Sequence, residues 1–254
     1  MPTKKTKTNP KARPERIRLS REAVIHAAIE LAGQIGIETL SMRKLAEALG
    51  VEAMSLYNHV KNKEDLLDGM VDAVVAEMYI PNTNGTWRQE ICTATLSSHE
   101  VLMAYPWASM LLVSRPAVGA AKMSHFDAIQ GCYCDAGFSP QMADQVRNAI
   151  DGHLYGFTLQ KLLYPTAEGE YAKAAAQFLP MLPQDIYPHS YNLVQTVAEG
   201  LYDGKHHFEF GLNLLLDGIE NILKSENKAR RTVTKGTSKS SRPKNTGNSA
   251  KRPR

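Results

Sequence analysis

The stretch Ser41-Met42-Arg43-Lys44-Leu45-Ala46-Glu47-Ala48-Leu49-Gly50-Val51-Glu52-Ala53-Met54-Ser55-Leu56-Tyr57-Asn58-His59-Val60 decides how the chain is read. It predicts two short helices joined by a tight turn. Leu45, Ala46 and Leu49 give the first helix one apolar face, and Val51, Leu56 and Val60 give the second an inward face. Gly50 stands where the chain must leave the first helix, because glycine enters the left-handed region without steric cost. Ser41 is placed to cap the first helix, with Lys44 rather than Glu at the third helical position, so the full capping box is absent. Ala46 is small where the two helices must approach closely. This is the pattern of a helix-turn-helix, whose second helix enters the major groove of DNA.

The outward residues of the second helix are Glu52, Ala53, Met54, Ser55, Tyr57, Asn58 and His59. Asn can bond adenine bidentately, and Ser can serve base edges or phosphate. Tyr57 and His59 can donate to phosphate, and Ala53 or Met54 can touch a thymine methyl. An ordinary helical hairpin with a polar solvent face would share so short a pattern. The flanks decide between the two.

From Arg18 to about Met78 the chain resembles the DNA-binding domain of the tetracycline repressor (TetR) family. Leu56-Tyr57-Asn58-His59-Val60-Lys61-Asn62-Lys63 is similar to that family's Leu-Tyr-x-His-Val-x-Asn-Lys signature, and Arg43-Lys44-Leu45-Ala46 to its Arg-x-Leu-Ala. Glu64, Leu66 and Leu67 then open the next helix as family members do. The resemblance assigns DNA contact to Ser41, Arg43, Ala53, Met54, Ser55, Tyr57, Asn58, His59 and Lys63. Of these, Arg43 is the best bidentate partner for guanine, and Tyr57, His59 and Lys63 anchor phosphates. Family members often carry Gln-Pro-Thr or Ser-x-Ser where this chain has Ala53-Met54-Ser55, which implies a different operator.

Charge supports a nucleic-acid partner. Residues 1–18 hold seven Lys/Arg and one acid, and residues 228–254 hold ten Lys/Arg and no acid. The middle holds thirteen basic against twenty-five acidic side chains, a net −12, so the overall +4 hides an acidic body between basic tails. Residues 1–16 and 225–254 are expected to be disordered basic arms, supplying sequence-independent attraction to phosphates or serving as plain solubilising tails. No run approaches the apolar length of a membrane span, and the basic N-terminus lacks the apolar core of a secretory signal. Cys92, Cys132 and Cys134 are too few and too oddly spaced for a disulfide framework, and no set of ligands surrounds them, so a reduced cytoplasmic protein without metal or cofactor is expected.

The chain is predicted to be all-α, with a DNA-binding domain over 17–78 and a larger helical domain over 86–224. Leu19 to Gly36 forms the first helix, capped by Ser20, with Val24, Ala27, Ala28, Leu31 and Ile35 as its core stripe. A helix from Lys63 to Met78, capped by Asn62, precedes the break at Pro81-Asn82-Thr83-Asn84-Gly85. Helices follow over about 87–104, 108–113, 117–135, 140–163, 168–178, 191–199 and 205–223. The last is apolar nearly all round, through Phe208, Phe210, Leu212, Leu214, Leu215, Leu216, Ile219, Ile222 and Leu223, so it is buried on more than one side. In TetR-like proteins two helices per subunit form a four-helix dimer interface. The helices 140–163 and 205–223 occupy those places here, which implies a homodimer.

Resemblance to the tetracycline-repressor type of ligand domain continues through Trp87-Arg88, Ser114-Arg115-Pro116, Ala136-Gly137-Phe138-Ser139, Gly156-Phe157-Thr158-Leu159 and Phe210-Gly211-Leu212. It implies a small-molecule effector among the body helices, with His99, Met103, Trp107, Met110, Phe126, His153, Phe157 and Tyr164 as candidates. His125 and Asp151 are further polar candidates, although Met and aromatics at helical spacing are more often core. The drug-binding members place a metal-coordinating histidine where Leu111 stands here, and an acid where Tyr164 stands. The departures imply an effector other than a magnesium–tetracycline chelate. No G-x-S-x-G, H-E-x-x-H or phosphate loop occurs, which argues against an enzyme. An effector-independent activator or scaffold is the alternative to a ligand-released repressor.

Overall fold

A computed structural model of the chain describes residues 19–82, 84–115, 119–163 and 170–239, with backbone alone for 229–239. Among the described residues there are eleven α-helices, two short 3-10 turns and no strand. The chain divides into two compact units, one ending at Ala73 and the other beginning at Val74. The arm expected over 1–16 lies outside the described residues, as do Thr83, Pro116, Tyr164 and residues 240–254.

The first unit holds α1 (Arg21–Ile35), α2 (Met42–Leu49), α3 (Ala53–Leu56) and most of α4 (Lys63–Val75). Ser20 Oγ accepts from the Ala23 N–H at 3.1 Å and so starts α1. The buried stripe of α1 is Val24, Ile25, Ala28, Ile29 and Ala32, not the predicted set, and Ala27, Leu31 and Ile35 are only half-buried. The cause lies on α4, where Gly69 has no side chain and the Ile25 side chain fills the space. Ser41 Oγ accepts from the Lys44 N–H at 3.3 Å, and Gly50 leaves α2 with φ 66° and ψ 34°.

The helix after that turn is shorter than predicted. Regular α-helix covers Ala53–Leu56 and a turn carries the chain to Val60. The amides of Ser55, Asn58 and His59 bond carbonyls three residues back, the tighter 3-10 winding, while Leu56 and Val60 are almost completely buried and pin both ends. Asn62 Oδ1 accepts from the Asp65 N–H at 2.8 Å and starts α4, which ends at Val75, three residues before the predicted Met78.

The second unit contains α5 (Trp87–Ala104), α6 (Pro106–Ser114), α7 (Ala120–Asp135), α8 (Pro140–Leu163), α9 (Glu170–Phe178), α10 (Pro188–Ala198) and α11 (Phe208–Lys239). Thr86 and Gln89 form a capping box that starts α5, and the Ser139 hydroxyl accepts from the Met142 N–H at 3.3 Å at the start of α8. Its interior combines Ile91, Ala94 and Leu102 of α5, Val146, Ile150 and Leu154 of α8, and Leu212, Leu216 and Ile219 of α11. Arg88 of α5 reaches Asp217 of α11 at 2.7 Å. In place of an end near Leu223 and a disordered tail from 225, α11 continues to Lys239. No proline falls between Phe208 and Pro243, and the run from Leu223 to Arg231 is rich in helix formers, with Lys224 paired to Glu220 one turn back at 3.2 Å.

Candidate nucleic-acid interface and ligand cavity

The nine residues assigned to DNA cluster at the start of α2, along α3 and its following turn, and at the first residue of α4. Arg43, Met54, Tyr57 and Asn58 are exposed, Met54 by 74%. Ser41, Ala53, Ser55, His59 and Lys63 are half-buried. The Ser41 oxygen is engaged as the α2 cap. A large apolar side chain as open as Met54 is available to a partner and contributes nothing to the core.

Arg21 and Asp65, which sequence reasoning did not single out, fix this surface. Arg21 Nη1 and Nη2 donate to the two Asp65 carboxylate oxygens at 2.9 and 2.7 Å, a bidentate pair. Nη1 also donates to the His59 carbonyl at 3.1 Å, and Asp65 Oδ2 accepts from the Lys61 N–H at 2.7 Å. The end of the turn after α3 is therefore held to α1 and α4 through one ion pair. The Arg21 guanidinium, reinforced by the Lys61 amide, holds the Asp65 carboxyl down at about 2. The signal was present as an Arg immediately after a cap and an acid three residues after another, but their pairing requires the fold.

Two polar clusters occupy the second unit. In the first, Thr158 Oγ1 donates to the Leu154 carbonyl at 2.6 Å, so it accepts from His99 Nδ1 at 2.8 Å. His153 Nε2 donates to the Phe208 carbonyl at 2.9 Å. Phe208 stacks on both rings, with centroids 4.2 Å from His99 and 4.7 Å from His153, and Phe157 meets all three edge-on or tilted. Gly211 makes room: a Cβ there would lie 3.0 Å from His153 Nδ1. Burial pushes the His99 pKa down. His99, His153 and Phe157, assigned to an effector by resemblance, sit together in this satisfied cluster.

The second cluster lines a cavity of about 130 Å³. Its apolar wall comes from Val75, Met78, Ile91, Leu112, Phe126 and Ile129, and its polar wall includes His125, Tyr133, Arg147, Asp151 and Tyr155. Arg147 bonds Asp151 at 2.6 Å and Asp144 at 2.7 Å and lies 4.7 Å over the Phe126 ring. Burial pushes Asp151 up and His125 down, and raises the Tyr133 and Tyr155 phenols well above their ordinary range. Of the effector candidates, Phe126 lines this cavity, together with the further polar candidates His125 and Asp151. Met103 and Trp107 are half-buried elsewhere, Met110 is 61% exposed, and Tyr164 lies outside the described residues. The metal of a tetracycline chelate finds no imidazole at Leu111, and no group of three His, Cys, Asp or Glu among the described residues could hold an ion. None of the described helices is long and apolar enough to cross a membrane.

Known proteins account for both halves of the chain. Residues 24–70 match the family of bacterial regulatory proteins of the tetR type, and residues 80–223 match the tetracyclin repressor-like C-terminal domain. The chain belongs to the TetR family. It is a TetR-family transcriptional regulator and not an enzyme. The class C tetracycline repressor of Escherichia coli is 32% identical over 209 residues, covering 81% of this chain and 92% of that repressor. An HTH-type transcriptional regulator of Saccharopolyspora erythraea is 36% identical over 156 residues, covering 61% of this chain, and the match spans 63% of that regulator's length. Among solved structures, Streptomyces coelicolor ActR in complex with actinorhodin superposes with a TM-score of 0.67 at 22% identity, over 83% of this chain and 99% of ActR, a likeness of fold.

Proposed function

We propose that the chain is a homodimeric repressor in the bacterial cytoplasm that occupies a palindromic operator and is released when a small molecule fills the cavity of the body. The observation that carries the DNA reading is the exposed set of Arg43 on α2, Met54 on α3, and Tyr57 and Asn58 on the following turn, whose end is clamped by Arg21 and Asp65. Rigid backbone with open side chains is what base reading needs, since ordering those groups on DNA then costs little. The name of the class C relative supports repression as the sign of regulation. Repression follows from occlusion of the promoter.

Two faces support the dimer. On α11, Phe210 is 71% exposed and Leu214 59%, with Gly218 and Ile222 continuing the line at four-residue spacing. On α8, Ala149, Gly152, Gly156 and Leu163 are exposed. Such faces suit helix–helix packing across a two-fold axis. Release requires a ligand with higher affinity for the state that cannot bind DNA. The path we favour is α4, which begins at the Asn62–Asp65 cap and ends at Val75 on the cavity wall.

The test is selection of random or genomic DNA by the purified protein, with Arg43→Ala alongside. A recovered palindrome is expected, and the variant loses discrimination at one base pair by about 1–3 kcal/mol. Recovery of sequence-blind, salt-sensitive DNA alone would overturn the operator reading.

A further inference from the structure

The polar wall of the cavity is unfinished. His125 Nε2, Tyr133 Oη and Arg147 Nε are buried and have no hydrogen-bond partner, and all three residues line the same space. Buried polar atoms are almost always paired in folded proteins, so three exceptions around one cavity require an explanation. Packing of the unit does not supply it, because His99 and His153 each place a ring nitrogen on an oxygen in the same unit.

Each atom's role can be assigned. The Tyr133 phenol is fully buried and keeps its proton, so it is a donor. Arg147 spends its terminal nitrogens on Asp144 and Asp151, which neutralise it, and Nε–H remains as a donor. His125 is neutral near pH 7, because burial lowers its pKa. A neutral imidazole carries a single proton, so the unpartnered Nε2 serves as an acceptor when that proton sits on Nδ1. Lys122, also on the wall, donates to the Leu112 and Arg115 carbonyls at 3.3 Å. The volume, about 130 Å³, is near that of the engineered apolar cavity of about 150 Å³ that takes one benzene.

We propose that the cavity seats one aromatic ring bearing a hydroxyl and a carbonyl oxygen. The hydroxyl donates to His125 Nε2, and the carbonyl accepts from Tyr133 Oη–H and Arg147 Nε–H. The faces of the ring lie against Ile91, Phe126 and Ile129. The consequence for DNA, though not the binding itself, rests on the effector reading given above.

The experiment is isothermal titration of the full-length protein with 4-hydroxybenzaldehyde, with toluene and benzoate as probes of similar size. The hydroxyaldehyde is expected to bind about 10-fold or more tightly than either, because only it completes both hydrogen-bond sets. Tyr133→Phe is expected to weaken it by about 3- to 10-fold. The same variant, without ligand, is expected to melt at the same temperature as wild type or higher, since the hydroxyl removed has no partner. Equal affinity for toluene, unchanged affinity in Tyr133→Phe, or no binding of any probe overturns the assignment. Binding without loss of operator occupancy supports the ring site and overturns the effector reading, so the two failures are distinguishable.

Discussion

The two polar clusters of the body both set histidine among aromatic rings, and they differ in completion. Around Phe208, His99 and His153 each give a ring nitrogen to an oxygen, and Thr158 passes its own proton on to Leu154. Around the cavity, His125, Tyr133 and Arg147 each keep a buried atom without a partner. A closed network of this kind specifies packing. An open one leaves desolvation uncompensated, a cost the fold bears until something else occupies the space. The comparison separates histidines that hold the body together from those available to a ligand.

The largest test of this difference is to open the closed cluster. Thr158→Val keeps the shape but leaves His99 Nδ1–H buried without an acceptor, a loss of about 1–3 kcal/mol. Removing the Tyr133 hydroxyl from the open cluster should cost nothing. Urea unfolding at fixed protomer concentration measures both, and equal destabilisation by the two variants would remove the distinction drawn here.

This difference was invisible in the sequence. His99, His125 and His153 all stand on amphipathic helices, and spacing alone ranks them equally. What decides is the partner from another helix: Thr158 lies fifty-nine residues from His99. The head was more legible because its signals are local. Ser41, Gly50 and Asn62 act on backbone within four residues of themselves, and all three do so in the structure. The misreadings in the head have non-local causes. Gly69 of α4 turns α1 toward Ile25, and the tight winding after Leu56 comes from burying both Leu56 and Val60. In the body the expected starts hold at Thr86 and Pro140, whereas α6 and α10 begin at Pro106 and Pro188, two and three residues before the expected 108 and 191. The end of α11 carried no such mark, and its helix ran on.

Acid should act on the two units in different pH windows. His99 and His125 have folded pKa values pushed below the ordinary value of about 6.5 by burial. The unfolded chain therefore binds more protons as pH falls through that value. Their contribution is fully present above about pH 6.5 and declines below it. Asp65 has the opposite chemistry, a carboxyl held down at about 2 by Arg21. Its contribution persists until the unfolded carboxyl titrates near pH 3.9, and is lost as pH falls from there toward about 2. Asp151, raised by burial, gains protons in the fold and opposes the histidines only as the carboxylate range is approached. Hydrogen exchange at pH 7.5 and 5.5 should show protection falling in α5, α7 and α8 while the amide of Lys61, bonded to Asp65, keeps its protection. A uniform change across both units would show that local burial of these histidines does not govern the response.

The smallest effect concerns glycines that nothing within the chain requires. Gly33 of α1, Gly152 of α8 and Gly218 of α11 are all exposed and helical, and a Cβ at any of them would meet nothing within 4 Å. Each costs about 0.5–1 kcal/mol relative to alanine in a helix interior. In a dilute protomer, Gly→Ala at all three should stabilise by that amount. The proposed dimer breaks the equivalence, because α8 and α11 would then face helices of a second copy and the added methyl must fit between backbones. Gly33→Ala should leave dimerisation unchanged, whereas Gly152→Ala and Gly218→Ala should weaken it while raising the melting temperature of the dilute protein. Light scattering across a concentration series, paired with thermal melts, reads both quantities. If all three variants gain stability equally and dimerise as wild type does, α8 and α11 do not meet a partner through their glycine faces, and the exposure of Phe210 and Leu214 needs another cause.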